Sequence, residues 1–216
     1  MNINISIVIF VLLSFLNMAV VSNEVINDKN SFSALESNMT NICEFQENGV
    51  KLQYKTKDNI EKESDKVKQY FIEKINGSYR EINKNQFETF DDNFHTNIKL
   101  WCEDKYTYVE ITLINKSVKY TTADLKSILQ KLEDQKSENV QYLFYYEGKE
   151  KESDNNYSID KLANENNIQN INLLKINNGY TGIGYLSDGN KINMAKVRYN
   201  TSSHIIIGTP IIFAIY

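Results

Sequence analysis

The stretch Val140-Gln-Tyr-Leu-Phe-Tyr-Tyr146 has the strongest β-strand character in this chain, and the prediction of the fold starts from it. It would form a strand with aromatic or apolar side chains on both faces, and such strands usually lie inside a sheet with cover on both sides. The charged segment 147–156 follows it and is predicted to be a mobile loop. A central strand of this kind needs partner strands beside it and helices packed above it.

Candidates for these partners occur on both sides of the stretch. Apolar residues at helical spacing predict helices near 31–43, 60–76, 121–135 and 158–168. Alternating apolar and polar residues predict strands at 50–55, 79–83, 94–102, 106–114, 171–176, 180–186, 191–199 and 204–207. Asn48-Gly49 and Ser187-Asp-Gly-Asn190 predict turns. Thr121, with Asp124 three residues later, predicts a capping box at the start of the third helix.

The order of these elements predicts the fold class. A strand, a helix and several strands occur once, and the same order returns after the third helix. We therefore expect an α+β protein, with an antiparallel sheet, helices on one face and two similar strand-helix-strand halves. The expected boundaries are a signal peptide over 1–22, an N-terminal half over 23–120 and a C-terminal half over 121–216.

The N-terminal segment predicts an extracytoplasmic protein. Ile5 to Val21 is nearly all apolar and uncharged, and modest side chains follow at the positions that a signal peptidase recognises. Cleavage after Ser22 would leave a mature chain that begins at Asn23. Because the first four residues lack Lys and Arg, an uncleaved membrane anchor and a buried cytosolic helix stay open as alternatives. Only an uncleaved anchor would attach the protein to a membrane.

Two cysteines, Cys43 and Cys102, lie in the part of the chain that would be exported. An even number of cysteines outside the cytoplasm permits one disulfide. Two free thiols are the alternative.

Charge and motifs argue against several functions. The net charge of −4 comes without any block of Lys and Arg, so a nucleic-acid partner is not expected. The local signatures of serine hydrolases, zinc proteases, dithiol redox proteins and phosphate-binding loops are missing. The two histidines, His95 and His204, begin predicted strands without a cysteine at metal-ligand spacing. We therefore predict no enzyme activity, no cofactor and no metal site.

One local motif stands out near the C-terminus, Gly208-Thr209-Pro210, which holds the only proline of the chain. Glycine permits a sharp bend, threonine can bond the local backbone, and proline removes a donor from the sheet. We interpret the motif as a structural turn that ends the last strand and redirects the tail. A loop that faces a ligand or partner is the alternative. The apolar tail 211–216 is expected to be buried.

The region from Gly189 to Tyr199, followed by Ile205-Ile-Ile-Gly-Thr-Pro-Ile-Ile212 and a final Tyr216, resembles the closing hairpin of the YwmB-like family. These are exported proteins of Gram-positive spore-forming bacteria. The resemblance implies a fold related to the TATA-box-binding protein, with two similar halves, but no established activity, and a fold alone does not supply one. Ala214-Ile215 departs from the polar, often acidic, approach to the last tyrosine.

Two main functional hypotheses follow, and an enzyme of unfamiliar type stays open as a third. The first is an exported, non-catalytic interaction or scaffold protein of the cell envelope, whose partner is an envelope protein or a wall component. A link to sporulation is implied by the resemblance alone. The second is a binding module for a small molecule or cell-wall fragment in a cleft between the halves. In that case Tyr142, Phe144 and Tyr146 would stack on sugar rings, and the alternative is that they belong to the core.

Overall fold

A computed structural model describes residues 31–75, 77–151, 158–199 and 202–214. The expected signal peptide and the cleavage site at Ser22 and Asn23 lie outside these ranges. The helices are α1 (Ser31–Ile42), α2 (Ile60–Ile75), α3 (Thr122–Leu129) and α4 (Ile159–Glu165). The strands are β1 (Cys43–Thr56), β2 (Ser78–Asn83), β3 (Gln86–Phe90), β4 (Phe94–Glu103), β5 (Tyr106–Asn115), β6 (Glu138–Glu150), β7 (Gln169–Ile176), β8 (Gly179–Tyr185), β9 (Lys191–Arg198) and β10 (Ser203–Thr209). The α+β class is therefore confirmed.

The ten strands form one antiparallel sheet in the order β2-β3-β4-β5-β1-β6-β10-β9-β8-β7. As predicted, β6 is central, because it pairs with β1 on one side and with β10 on the other. It continues through Glu150, so the prediction of a mobile loop from residue 147 is wrong for its first residues. The charges there are accommodated in the sheet because Glu147 bonds His204 and Glu150 bonds Lys196.

Strand β1 is also longer than its alternating pattern predicts. The expected turn at Asn48-Gly49 is wrong, since both residues pair with β5 inside the strand. Asn48 is only 1% exposed, and its amide serves a buried hydrogen-bond network rather than a turn. A Cβ added to Gly49 would lie 2.5 Å from Ile114 Cδ1, so glycine here permits close packing between neighbouring strands.

All four helices pack on one side of the sheet, which we call the helix face. The core on this side joins apolar helix residues to alternate strand residues, among them Phe32, Leu35, Met39, Val67, Phe71, Leu125, Leu129, Leu162, Val50, Leu52, Ile98, Ile111, Phe144, Ile192 and Ile207. We call the opposite side the open face. The tail residues Ile212, Phe213 and Ala214 pack there on Tyr145, Ala195, Val197 and Ile206. The central strands are therefore covered on both sides.

Among the described residues, none of the helices has both the length and the apolar character that crossing a bilayer requires.

Candidate functional site

A cavity of about 210 Å³ lies where α1, the start of β1, the segment before α3 and the middle of β6 meet. Its lining combines hydroxyl groups, two buried polar side chains and several apolar or aromatic groups. These residues are Ser33, Glu36, Ser37, Thr40, Phe45, Asn48, Val118, Tyr120, Thr121, Ala123 and Tyr146. They come from both sides of the expected boundary at 120/121, so the cavity lies at the junction of the two sequence halves.

The floor of the cavity is built around Glu36, which is 5% exposed. It lies on the inner face of α1, where Phe32, Leu35 and Met39 would otherwise make a continuous apolar stripe. Its carboxylate accepts hydrogen bonds from Asn48 Nδ2 at 2.8 Å, from Thr122 N at 3.1 Å and from Thr122 Oγ1 at 2.6 Å. Burial raises the pKa of Glu36, and the hydrogen bonds from Thr122 and Asn48 act in the opposite direction.

The same network fixes the segment that leads into α3. Asn48 Nδ2 also donates to the carbonyl of Tyr120 at 2.8 Å, and Asn115 Nδ2 donates to Asn48 Oδ1 at 2.8 Å. Thr121 and Asp124 form the predicted capping box, which starts α3 at the edge of the cavity. The cavity wall is therefore held by buried side-chain bonds and not only by loop packing.

Among the lining residues, the hydroxyl group of Tyr146 says most about what the cavity would bind. Its side chain is 1% exposed, yet its hydroxyl has no hydrogen-bond partner within the described part of the chain. Burial raises the pKa of this hydroxyl, so it is a neutral donor at any physiological pH. A buried polar group without a partner costs about 1–3 kcal/mol, which a suitably placed ligand group would recover.

The three aromatic residues of the central strand have different roles. Phe144 is 5% exposed and packs against the Phe32 ring at 5.7 Å, so the core alternative is confirmed for this residue. The Tyr142 hydroxyl donates to Glu133. Only Tyr146 of the three lines the cavity.

The disulfide that the two cysteines permit is not formed. Cys102 is opposite Thr107, which in turn is opposite Thr56 at the end of β1, whereas Cys43 begins β1. At about 3.3 Å per residue, the length of β1 separates the two cysteines by roughly 40 Å. A disulfide requires Cα atoms within about 7 Å of each other.

The Gly208-Thr209-Pro210 motif lies where β10 ends and the chain folds back over it. A Cβ added to Gly208 would lie 2.6 Å from the Ile211 carbonyl oxygen, so only glycine leaves room for this return. Thr209 Oγ1 donates to the Lys191 carbonyl at 2.7 Å, and Asn193 Nδ2 donates to the Pro210 carbonyl. These contacts are those of a structural turn that places the tail on the open face.

We expect Thr209→Ala to lower the free energy of unfolding by about 1 kcal/mol, because it removes one side-chain hydrogen bond to a buried strand. Urea unfolding followed by circular dichroism measures the change. Ser187→Ala, at an exposed position of another turn, is the matched control and should be neutral. If Thr209→Ala kept full stability while abolishing a cellular phenotype, the alternative of a functional loop would replace the structural interpretation.

The polar residues of the buried network beside the cavity, Glu36, Asn48 and Thr122, were not predicted from the sequence as site residues. One signal was present, since Glu36 falls at helical spacing within the apolar stripe of α1. In the part of the chain that the structure describes, no group of three or more His, Cys, Asp or Glu side chains is arranged to hold a metal ion.

A scan against protein-family models and a search of curated proteins both found no match to this chain.

Proposed function

We propose that this chain is an exported binding module of the cell envelope, which holds a small neutral molecule in the cavity between α1 and α3. The observation that supports this most directly concerns Tyr146, which lines the cavity and whose buried hydroxyl has no hydrogen-bond partner among the described residues. Pockets with a few convergent polar groups in an otherwise apolar lining are the usual form of small-molecule sites.

The lining indicates the class of ligand. A volume of about 210 Å³ is smaller than the roughly 300–1,000 Å³ of sites for drug-sized ligands, so it suits one ring rather than an oligomer. Among the residues that the structure describes, no Lys or Arg lines the cavity, and the Glu36 carboxylate is already engaged by protein donors. Hydroxyl groups beside the rings of Phe45, Tyr120 and Tyr146 favour a neutral ring that carries hydroxyl or amide groups. A single sugar of a wall fragment has this chemistry.

We also infer that the two halves arose by duplication, as the resemblance to the YwmB-like family implies. The strand order supports this inference, because it is symmetric about the β1–β6 pair. In each half a strand and a helix precede four strands, and the last of the four returns beside the first strand. A helix also precedes each half, α1 before β1 and α3 before β6. The cavity would then lie at the junction of two repeats.

The test of the binding proposal is saturation-transfer NMR and thermal shift with N-acetylglucosamine and glucose. We expect binding to the wild-type protein and at least a tenfold weaker affinity for Tyr146→Phe. The variant should unfold at the same temperature or slightly higher, because the hydroxyl that it loses makes no hydrogen bond within the described part of the chain. Loss of affinity without loss of stability separates a ligand contact from a structural one.

A blocking variant makes the test independent of Tyr146. Ala123 is exposed at the mouth of the cavity on α3, so Ala123→Trp should fill the entrance without disturbing the core. Binding that survives both substitutions would place the ligand elsewhere and overturn the proposal. Absence of binding by either sugar to the wild-type protein would overturn the assignment of the ligand class.

The second candidate is the interaction or scaffold protein, and one specific surface favours it. On the open face of β7 and β8, Leu174 is 64% exposed, Ile183 41% and Tyr185 43%. Apolar side chains grouped on one surface often mark contacts with other proteins. Cross-linking in intact cells distinguishes the candidates, since a scaffold would be recovered with a defined envelope partner.

A further inference from the structure

A second polar cluster lies on the open face, at the start of β10. Ser202 Oγ lies 3.1 Å from His204 Nε2, and His204 Nδ1 lies 2.6 Å from Glu147 Oε1. Hydroxyl, imidazole and carboxylate therefore follow one another in hydrogen-bond contact. This is the order of groups in the serine-histidine-acid triads that perform acyl transfer on several unrelated folds.

We propose that Ser202, His204 and Glu147 form a triad that hydrolyses carboxylic esters with a small acyl group. Ser202 and His204 would be the catalytic residues, and Glu147 a positioning residue. This activity goes beyond the proposed binding function and does not depend on the cavity, because none of the three residues lines it.

The surroundings fix the orientation of the base. Glu147 Oε2 accepts a hydrogen bond from the Tyr145 hydroxyl at 2.6 Å, which leaves Oε1 to accept the Nδ1 proton of His204. With the proton on Nδ1, Nε2 is free to accept the proton of the Ser202 hydroxyl. The His204 ring also packs edge-on against Tyr199, with ring centroids 4.7 Å apart. The imidazole is thus held on two sides.

The side chains of the triad differ in their exposure to solvent: the acid and the base are shielded, and the nucleophile is more accessible. The side chains of His204 and Glu147 are each 13% exposed, so their hydrogen bond is largely shielded from water. Ser202 is half-buried, so its side chain is more accessible to an ester than a fully buried one would be. Lys149 is the cross-strand partner of His204, and its side chain leaves the same face. Its ammonium group lies 4.0 Å from Glu44 Oε2 and would have to turn toward Ser202 to stabilise a developing oxyanion.

The reaction that follows is a two-step hydrolysis. Ser202 Oγ attacks the ester carbonyl carbon while His204 Nε2 takes the hydroxyl proton, and a tetrahedral oxyanion forms. The bond from carbon to the leaving oxygen then breaks, and the imidazolium returns the proton to the departing alcohol. Water, activated by the same imidazole, attacks the acyl-serine and releases the acid. Because Ser202 is only half-buried, a short acyl group, which needs no deep pocket beside the serine, fits best.

Sequence motifs could not reveal this arrangement. Ser202 and His204 are two residues apart at the start of a strand, without the glycine-flanked serine of the hydrolase motif. Glu147 is 57 residues before His204 and joins it only because β6 pairs with β10. The sequence-based prediction that the chain is no enzyme rested on such local motifs.

Two assays on the purified mature chain test the proposal. A fluorophosphonate probe should label wild-type protein at Ser202, as located by mass spectrometry of the labelled peptide. Hydrolysis of p-nitrophenyl acetate should fall at least about 100-fold in kcat/KM for Ser202→Ala and for His204→Gln. Ser203→Ala is the matched control and should keep both labelling and turnover. Circular dichroism establishes that each variant is folded.

The positioning role of Glu147 has its own readout. Glu147→Gln should lower kcat and change the pH profile of hydrolysis, and Glu147→Asp should restore part of the rate. Wild-type protein that the probe does not label would overturn the proposal. So would Ser202→Ala with undiminished hydrolysis, since the imidazole would then attack the ester by itself. Either failure would leave the binding proposal for the cavity unaffected.

Discussion

Deletion of residues 208–216 is expected to lower the free energy of unfolding by about 3–5 kcal/mol and to make the protein prone to aggregation. The tail residues Ile212 and Phe213 pack on the open face, and the Phe213 ring lies 5.7 Å from the ring of Tyr145. Tyr145 and Ile206 are at most 1% exposed, so removal of the tail would present them to water. A loss of this size is a large part of the stability of an ordinary domain.

Urea unfolding and light scattering of the full-length and shortened proteins provide the measurement. Phe213→Ala should show an intermediate loss of about 1–2 kcal/mol, because this ring is only partly buried. Ile211→Ser is the matched control. Ile211 is 37% exposed and takes no part in the cluster around Tyr145, so its substitution should be neutral. A shortened protein as stable and soluble as the full-length chain would show that the tail is no part of the core.

The sequence predicted best those elements whose signal is local. The central position of β6 follows from its own apolar residues, and the start of α3 follows from Thr121 and Asp124, which bond each other. Strand β3 was missed because its pattern makes sense only with its neighbours. Glu88 within it is 8% exposed and is bonded by Arg80 of β2 and Asn97 of β4. From the sequence alone, a charged residue that is paired across strands cannot be distinguished from a charged residue in a loop.

The candidate sites were harder to predict for the same reason. Glu36 is satisfied by Asn48, which follows within 12 residues, but also by Thr122, which is 86 residues away. The Asn48-Gly49 pair is a strong turn signal, and the buried network overrides it. The buried network joins Glu36 of α1, Asn48 of β1 and Thr122 of α3, whereas the triad depends on the pairing of β6 with β10, so neither arrangement has a local motif.

Strand β6 connects the two proposed sites. Because side chains alternate along a strand, Tyr146 lies on the helix face and lines the cavity, whereas Tyr145 and Glu147 lie on the open face beside His204. Strand β6 therefore supplies residues to both sites. Substitutions in β6 should be tested on each face separately, as Tyr146→Phe and Glu147→Gln allow.

The substitution Glu36→Ala is expected to lower the free energy of unfolding by about 3 kcal/mol at neutral pH. The substitution removes the buried acceptor of three hydrogen bonds, which Thr122 N, Thr122 Oγ1 and Asn48 Nδ2 donate. Each buried donor that is left unsatisfied costs about 1–3 kcal/mol. Glu36→Gln should cost less, since its amide oxygen still accepts from some of these donors. Asn41→Ala, at an exposed position of the same helix, is the matched control and should be nearly neutral.

The pH dependence of this loss follows from the raised pKa of Glu36. A carboxyl whose pKa is higher in the folded state than in the unfolded state binds more protons when folded, so its contribution to stability falls as pH rises through that interval. The interval begins near the ordinary value of 4.5. The difference in free energy of unfolding between wild type and Glu36→Ala should therefore be largest below pH 4.5 and decrease at higher pH. The other carboxyl groups, including Glu47, are present in both proteins, so their contributions cancel in this difference. Urea unfolding of both proteins from pH 4 to pH 8 measures this difference. A difference that grows with pH would show that the hydrogen bonds to the Glu36 carboxylate, rather than its burial, dominate its pKa.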